Sequence, residues 1–337
     1  MAGARRRPGR TEPKAKQTKR RAFPRGARLK KLGPLLRGQL LHSLYAGAEG
    51  TMQKPIVVHT REELLKELRA LEERGVSLAL VPTMGYLHEG HLSLVREGAA
   101  RADRVAVSIF VNPTQFGPGE DLDRYPRDLS GDVEKLDAAG AWLVYAPKSP
   151  REVYPEGFQT WVDVEGLSLG LCGGKRPGHF RGVATVVCKL LTLFRPKVAL
   201  FGQKDYQQLA VIRRMARDLD LDARTEVVGM PIVREPDGLA MSSRNAYLSA
   251  DERRRALSLH RGLYAARALH EAGERDPARL IGAARDAMAG DVDRIDYVEL
   301  VDADSLETVE RVEDPVCLLV AAFVGRTRLI DNLVVGR

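Results

Sequence analysis

The chain has 337 residues, of which 44% are hydrophobic and 29% are charged, a balance typical of a soluble enzyme large enough for two domains. The chain has only three cysteines, and an odd number cannot all pair in disulfides. This sparse set predicts no disulfide framework and favours a reducing compartment. The best candidate for a membrane span, 183–194, is too short and contains Lys189, so we expect no transmembrane helix.

The net charge of +8 is concentrated at the start of the chain. Residues 1–50 contain fourteen Lys and Arg and two Glu, so they carry +12 and the remaining residues carry −4. Basic stretches with interspersed Pro and Gly are usually disordered, although a nucleic-acid or membrane-binding arm and a transit peptide are alternatives. A folded pattern begins after Met52. We expect translation to start there, which leaves 1–51 as an extension outside the fold.

From Met52 onward, short apolar runs alternate with stretches that repeat apolar residues at helical spacing. The runs predict strands and the stretches predict helices. The predicted elements are a strand at 56–58, a helix at 61–74, a strand at 78–81, a helix from about 90, a strand at 105–111, a helix at 129–139, a strand at 142–145, an apolar helix at 183–194, a strand at 198–201, a helix at 206–219 and a strand at 226–228. Residues 160–164 alternate apolar and polar side chains.

Alternating strands and helices predict a doubly wound parallel sheet with right-handed crossovers over 52–231. The pattern changes after about residue 231, where two helices precede three strands. These elements are helices at 250–272 and 277–289 and strands at 295–301, 316–324 and 327–335. We therefore expect an α/β protein with a nucleotide-binding parallel-sheet domain, followed by a smaller α+β domain at 232–337.

The most informative motif is His88-Glu89-Gly90-His91, which follows the strand at 78–81 and begins a helix. Free backbone N–H groups at a helix start attract anions, and imidazoles there add donors aimed at a phosphate. Paired histidines are also metal ligands or plain surface residues, but no Cys/His cluster and no HExxH motif accompany them. The motif therefore predicts a site that handles nucleotide phosphates.

Two further polar loops follow apolar strands, at 112–115 and 202–205. Ligands of doubly wound sheets bind beyond the carboxyl ends of the strands, so the three loops can converge on one crevice. Lys204 is a candidate phosphate contact there, and Asp205 is either a helix cap or a ribose contact. The amides of Gln115 and Gln208 suit a carboxylate or a hydroxyl. The run 241–244 offers two hydroxyls and a guanidinium, which clamp phosphates or cap a helix.

Six sequence blocks together resemble the pantoate–β-alanine ligase (pantothenate synthetase) family, a member of the HxGH nucleotidyltransferases. They occur in the family's order, and the resemblance covers about 52–337. The blocks are 82–91, 110–116, 125–127, 179–183, 204–208 and 237–245. Gln203 departs from the Glu that is common in the family, and the basic extension has no counterpart there.

The resemblance implies a cytoplasmic homodimer with a Rossmann-like nucleotidyltransferase domain and a C-terminal lid domain. It implies ATP, Mg²⁺, pantoate and β-alanine as ligands, without naming the protein ligands of the metal. By this resemblance, His88, His91 and Lys204 are catalytic, and Gln115 and Gln208 bind pantoate. The implied ATP-binding residues are Met84, Gly85, Tyr86, Leu87, His88, Glu89, Gly90, His91, Gly202, Gln203, Lys204, Asp205, Val233, Met241, Ser242, Ser243 and Arg244.

The implied reaction activates a carboxylate as its AMP anhydride. We expect His88 and His91 to act as donors to the phosphates, with Lys204, Arg244 and Mg²⁺. No residue stands out as the base for amine attack, and His91 is only one option. The alternatives are an adenylyltransferase that acts on a phosphate monoester, which would need more basic residues, and a nucleic-acid-binding protein that uses the basic extension.

Overall fold

A computed structural model describes residues 54–313 and 315–336. The predicted N-terminal extension, 1–51, lies outside the described residues. Among those residues, no helix is both long and apolar enough to cross a membrane.

The larger sheet has six parallel strands in the order β1-β4-β3-β2-β5-β6. Its strands are β1 (Ile56–Val58), β2 (Leu78–Thr83), β3 (Arg104–Ile109), β4 (Leu143–Tyr145), β5 (Val198–Gly202) and β6 (Glu226–Met230). The central strands are continuous apolar runs because helices cover both faces of the sheet. The doubly wound parallel sheet that the sequence predicts is confirmed.

Six helices belong to this part of the chain: α1 (Arg61–Glu73), α2 (Glu89–Arg101), α3 (Leu129–Ala139), α4 (Leu171–Lys175), α5 (His179–Phe194) and α6 (Tyr206–Asp218). Their starts are set by local capping. Thr60 and Glu63 form a capping box at α1, and Asp128 accepts the Gly131 N–H at α3. Residues 160–164 alternate like a strand but pair with none, and the Val162 N–H donates instead to the Thr185 hydroxyl.

The smaller, C-terminal part has two helices, α7 (Ala250–Glu271) and α8 (Pro277–Met288), and an antiparallel sheet. The sheet has the order β7-β8-β9, formed by Arg294–Asp302, Val316–Val324 and Thr327–Val335. The α+β organisation that the sequence predicts for this part of the chain is confirmed. Both sheets lie within one compact unit, Lys54–Arg337.

Helix α5 begins four residues earlier than its apolar run predicts and crosses close to the backbone at 114–115. A Cβ on Gly182 would lie 2.4 Å from the Thr114 carbonyl oxygen and 2.8 Å from the Gln115 nitrogen. Only glycine permits this approach, because backbone atoms cannot turn aside as a side chain can. The contact fixes the loop after β3 against the helix.

Gly182→Ala should therefore destabilise the protein by about 1–3 kcal/mol, since the added methyl overpacks this contact. Gly282→Ala is the matched control, because Gly282 lies inside α8 and its added Cβ would meet nothing within 4 Å. The control should be neutral or gain up to about 1 kcal/mol from helix propensity. Urea unfolding measures both, and equal stability of the two variants would contradict the close approach.

Candidate active site

The polar loops after β2, β3 and β5 border one cavity of about 210 Å³. Helix α5 contributes an apolar wall, and residues 231–233 after β6 also line the cavity. The predicted site residues that line it are Met84, His88, Gly90, His91, Gln115, Gly202, Lys204, Asp205, Gln208, Val233, Met241, Ser242, Ser243 and Arg244. Gly85, Tyr86, Leu87, Glu89 and Gln203 do not line it.

His88 and His91 share the first turn of α2, with ring centroids 4.1 Å apart. His88 is the N-cap, and its Nδ1 accepts the Gly90 N–H at 3.1 Å. The Nδ1 of His91 accepts the His88 N–H at 3.3 Å. In a neutral imidazole whose Nδ1 accepts a hydrogen bond, the proton is on Nε2. Both rings therefore carry an Nε2–H donor.

Electrostatics keep the two rings neutral. Burial, reinforced by the Lys204 charge, lowers the pKa of His88 to about 4. Burial and the neighbouring His88 hold the pKa of His91 well below its ordinary value. Gly90 is required between the rings because a Cβ there would lie 2.9 Å from two His88 ring atoms. At neutral pH both rings are therefore uncharged, and each has an N–H to donate.

The loop before α2 is held by Asp132, a residue that motif reasoning missed. Its carboxylate accepts the N–H groups of Tyr86 and Leu87, each at 2.7 Å, and it is 1% exposed. Burial raises the pKa of Asp132 above its ordinary value, and these two donors only partly offset the rise. Lys135 donates to the Leu87 carbonyl at 2.9 Å. The available signal was an acid on the apolar face of α3, four residues before the buried Leu136.

The run 241–244 is tied to the same loop, because the Ser243 hydroxyl donates to the Tyr86 carbonyl at 3.1 Å. The Arg244 guanidinium forms two 2.8 Å bonds to Asp121 and lies over the Tyr125 ring, 5.7 Å from its centroid. The Asp121 carboxylate raises the pKa of Arg244, although burial opposes this. Arg244 therefore borders the cavity, and the Asp121 carboxylate balances its positive charge.

Gln115 is oriented by the amide of the buried Asn112, which donates to its Oε1 at 3.0 Å. The Tyr154 hydroxyl donates to Asn112 Oδ1 at 2.9 Å and so fixes the direction of that amide. Gln115 Nε2 lies 3.2 Å from the Met84 sulfur. The Gln115 amide is thus held at its oxygen by Asn112 and at one N–H by Met84, which leaves its second N–H as a donor for a ligand.

The Gln115 carbonyl is bound by a second network. His179 Nδ1 donates to it at 2.8 Å and Arg176 at 3.2 Å, while Arg176 also pairs with Glu120. Burial and the Arg176 charge lower the pKa of His179 to about 4. A neutral His179 can donate from Nδ1 and accept from Arg176 at Nε2, 3.0 Å away.

The loop that carries Lys204 is held from the C-terminal sheet. Asn332 on β9 is 4% exposed, and its Nδ2 donates to the carbonyls of Gln203 and Lys204 at 2.9 and 2.8 Å. Lys204 Nζ lies 3.7 Å from the Asp205 carboxylate. The last strand of the fold thus positions the candidate phosphate-binding lysine. Sequence reasoning missed Asn332, because its partners lie 128 and 129 residues earlier.

A larger cavity of about 1110 Å³ adjoins the first. The two share five lining residues: Lys204, Asp205, Gln208, Ser242 and Arg244. Cationic side chains are numerous on the walls of the larger cavity, among them Lys175, Arg294 and Arg326. Since sites for drug-sized ligands span about 300–1,000 Å³, the smaller cavity suits a compact molecule and the larger one has room for a nucleotide.

A sequence model of the family described as "Pantoate-beta-alanine ligase" matches residues 56–334. The chain belongs to the pantoate–β-alanine ligase family. The match confirms the resemblance indicated by the sequence blocks. The pantothenate synthetase of Myxococcus xanthus (strain DK1622) is 61% identical over 284 residues, covering 84% of this chain and 97% of the relative. That of Geobacter sulfurreducens is 55% identical over 273 residues, covering 80% and 94%.

Solved structures of the ligase family have the same fold. A crystal structure of the Thermus thermophilus protein superimposes with a TM-score of 0.77 at 47% identity, covering 82% of this chain and 98% of that one. The Francisella tularensis ligase, complexed with beta-gamma ATP and β-alanine, gives a TM-score of 0.68 at 29% identity, covering 83% and 97%.

Asp132→Asn should destabilise the protein by about 1.5–3 kcal/mol, because an amide cannot accept both loop N–H groups and loses the charge that strengthens these bonds. Glu134→Gln, on the exposed side of the same helix, should change stability by less than about 0.5 kcal/mol. Urea unfolding at pH 7 compares them. Equal effects would mean that Asp132 does not hold the loop.

His88→Asn tests the neutral state of the ring. With a pKa of about 4 in the folded state and about 6.5 when unfolded, His88 binds more protons in the unfolded chain between these values. The free energy of unfolding should therefore fall as pH falls through this window. Asn caps the helix without titrating, so the variant should show a shallower slope and similar stability at pH 7.5. An unchanged slope in unfolding titrations would contradict this assignment.

Proposed function

We propose that this chain condenses pantoate with β-alanine to pantothenate, using ATP and releasing AMP and pyrophosphate. The observation that carries the proposal is the pair of neutral Nε2–H donors on His88 and His91, which border one cavity with Lys204 and two uncharged amides. Family membership supports it, as does the Francisella tularensis relative with its bound nucleotide and β-alanine.

In the first step, a pantoate carboxylate oxygen attacks the α-phosphorus of ATP. The bond from that phosphorus to the bridging oxygen breaks, giving pantoyl adenylate and pyrophosphate. Negative charge grows on the α-phosphoryl oxygens and the leaving group, where donors fixed before the reaction are most effective. We assign the two histidines to the α-phosphoryl oxygens, and Lys204 and Arg244 to the pyrophosphate.

The pantoate end of the cavity is proposed from its lining. Gln115 offers an N–H donor there, and Gln208 adds a second amide without a competing charge. The remaining wall is apolar and includes Phe110, Val183 and Val187. Such a wall suits the two methyl groups that pantoate carries on its third carbon.

In the second step, the β-alanine amine attacks the acyl carbon, the bond from that carbon to the AMP oxygen breaks, and AMP leaves. The nitrogen then loses a proton. His91 is unsuited to take it, because its Nδ1 accepts a backbone N–H and its Nε2 already carries a proton. We propose that solvent in the larger cavity removes the proton.

We propose that Mg²⁺ enters on ATP. Within the part of the chain that the structure describes, no three His, Cys, Asp or Glu side chains come together as metal ligands. Asp121 is already paired with Arg244. Mg²⁺ usually keeps several waters and binds substrate phosphates. The residues present therefore fit an ion carried by the phosphates rather than one held by the protein.

A homodimer and a cytoplasmic location belong to the proposal through the family resemblance. Sedimentation equilibrium of the purified protein tests the dimer. The exposed Leu169, which is 74% accessible, is one apolar side chain that an interface would cover.

Two alternatives are separated by direct assays. A phosphomonoester adenylyltransferase would exchange pyrophosphate into ATP with a phosphate ester and not with pantoate. A nucleic-acid-binding protein would lose salt-sensitive RNA or DNA binding when its chain begins at Met52. The uncharged amides Gln115 and Gln208 favour the carboxylate substrate.

His91→Ala and Lys204→Ala should each slow pantoate-dependent pyrophosphate exchange by about 10²–10³, since each removes one preorganised donor. Lys66→Ala removes an exposed cation on α1 and is the matched control; it should retain the wild-type rate. A loss below about threefold in either site variant would refute its role.

A further inference from the structure

We propose that the Ser108 hydroxyl forms a hydrogen bond with a hydroxyl of bound pantoate and so sets specificity for a hydroxylated acid. This inference rests on the proposed function. Ser108 lies on β3 and lines the 210 Å³ cavity together with Gln115 and Gln208.

The first observation is a buried polar group without a partner. Ser108 is 1% exposed, and its Oγ has no hydrogen-bond partner among the described residues. The Thr83 hydroxyl, which lies nearby, donates to the Ser108 carbonyl at 2.8 Å and not to its hydroxyl. A buried hydroxyl without a partner destabilises the folded state because it has lost its bonds to water.

The second observation is where this hydroxyl lies. Successive side chains of a strand alternate between faces, so Ser108 shares a face with Ala106 and Phe110. Both of these pack in the core on the α5 side of the sheet, opposite α2. Ser108 therefore stands at the apolar wall of the cavity, where a bound ligand can supply the missing partner.

The depth of Ser108 indicates which group it meets. It lies one residue before the end of β3, whereas His88 and His91 at the start of α2 and Lys204 after β5 lie beyond the strand ends. The reacting carboxylate must point toward those three side chains, so the opposite end of the acid reaches toward β3. In pantoate that end carries the hydroxyl on the fourth carbon. A serine can donate to a hydroxyl or accept from it.

Ser108→Ala should raise the KM for pantoate by about 5- to 100-fold, because the substrate hydroxyl is then buried without a partner. The KM for ATP should stay unchanged. The free energy of unfolding should not fall, since the substitution removes an unpartnered hydroxyl from the ligand-free protein. A rise in KM without loss of stability separates a specificity role from a merely structural one.

Ser258→Ala is the matched control. Ser258 lies on α7, is fully buried, and also has an Oγ without a hydrogen-bond partner among the described residues, yet it does not line the cavity. Its substitution should leave the KM values for pantoate and ATP at the wild-type level. A matching rise in both variants would overturn the specific role of Ser108.

Substrate analogues provide a second test, which compares the wild-type protein with Ser108→Ala. The wild-type protein should discriminate against 4-hydroxy-3,3-dimethylbutanoate or 2-hydroxy-3,3-dimethylbutanoate, each of which lacks one pantoate hydroxyl. Ser108→Ala should lose the discrimination against 2-hydroxy-3,3-dimethylbutanoate, which lacks the hydroxyl on the fourth carbon. If Ser108→Ala changes the pantoate KM by less than about twofold and keeps both discriminations, the hydroxyl serves a fixed water and the proposal is wrong. Absence of pantoate-dependent exchange in the wild type would instead refute the proposed function.

Discussion

The candidate site depends on two hydrogen bonds that run from backbone to imidazole, Gly90 N–H to His88 and His88 N–H to His91. Each bond occupies an Nδ1, which makes the ring a poor base and leaves Nε2–H as its free donor. The first turn of α2 thus acquires side-chain donors in addition to its unpaired amides. The same geometry explains Gly90, since any side chain there would displace a ring.

Three of the cations that line the two cavities have acidic neighbours. Arg244 faces Asp121, Arg176 faces Glu120, and Lys204 lies near Asp205. Unpaired buried cations would be costly in the absence of ligand. A triphosphate that enters such a site competes with carboxylates for these cations, so part of the attraction is offset by displacing them. This arrangement favours a multiply charged ligand over a single carboxylate.

Local patterns were sufficient to predict the fold. The central strands are apolar on both faces, and the amphipathic spacing of α1 and α6 marks them as helices. The strand-end rule also placed the loops at 84–91, 112–115 and 202–205 beside one cavity, as found. Residues 160–164 show the limit of such patterns, because alternation creates a strand only where a neighbour offers an unpaired edge.

The residues that hold the site in position were harder to predict than the residues that line it. Asp132 and Asn332 bind backbone groups that lie far away in the sequence, and the partner proposed for Ser108 is a ligand. No motif spacing joins these residues to their partners. The pairing of Arg244 with Asp121 was missed for the same reason, since 123 residues separate them. Physical signals existed only in part: an acid on an apolar helix face, and a serine within an apolar strand.

Both amide hydrogens of Asn332 are directed to the loop of Lys204, and this asparagine lies on the last strand of the chain. The setting of Lys204 therefore depends on β9 and on its pairing with β8. A chain cut before β9 would keep the histidines of α2 but would lose both hydrogen bonds that hold the lysine loop.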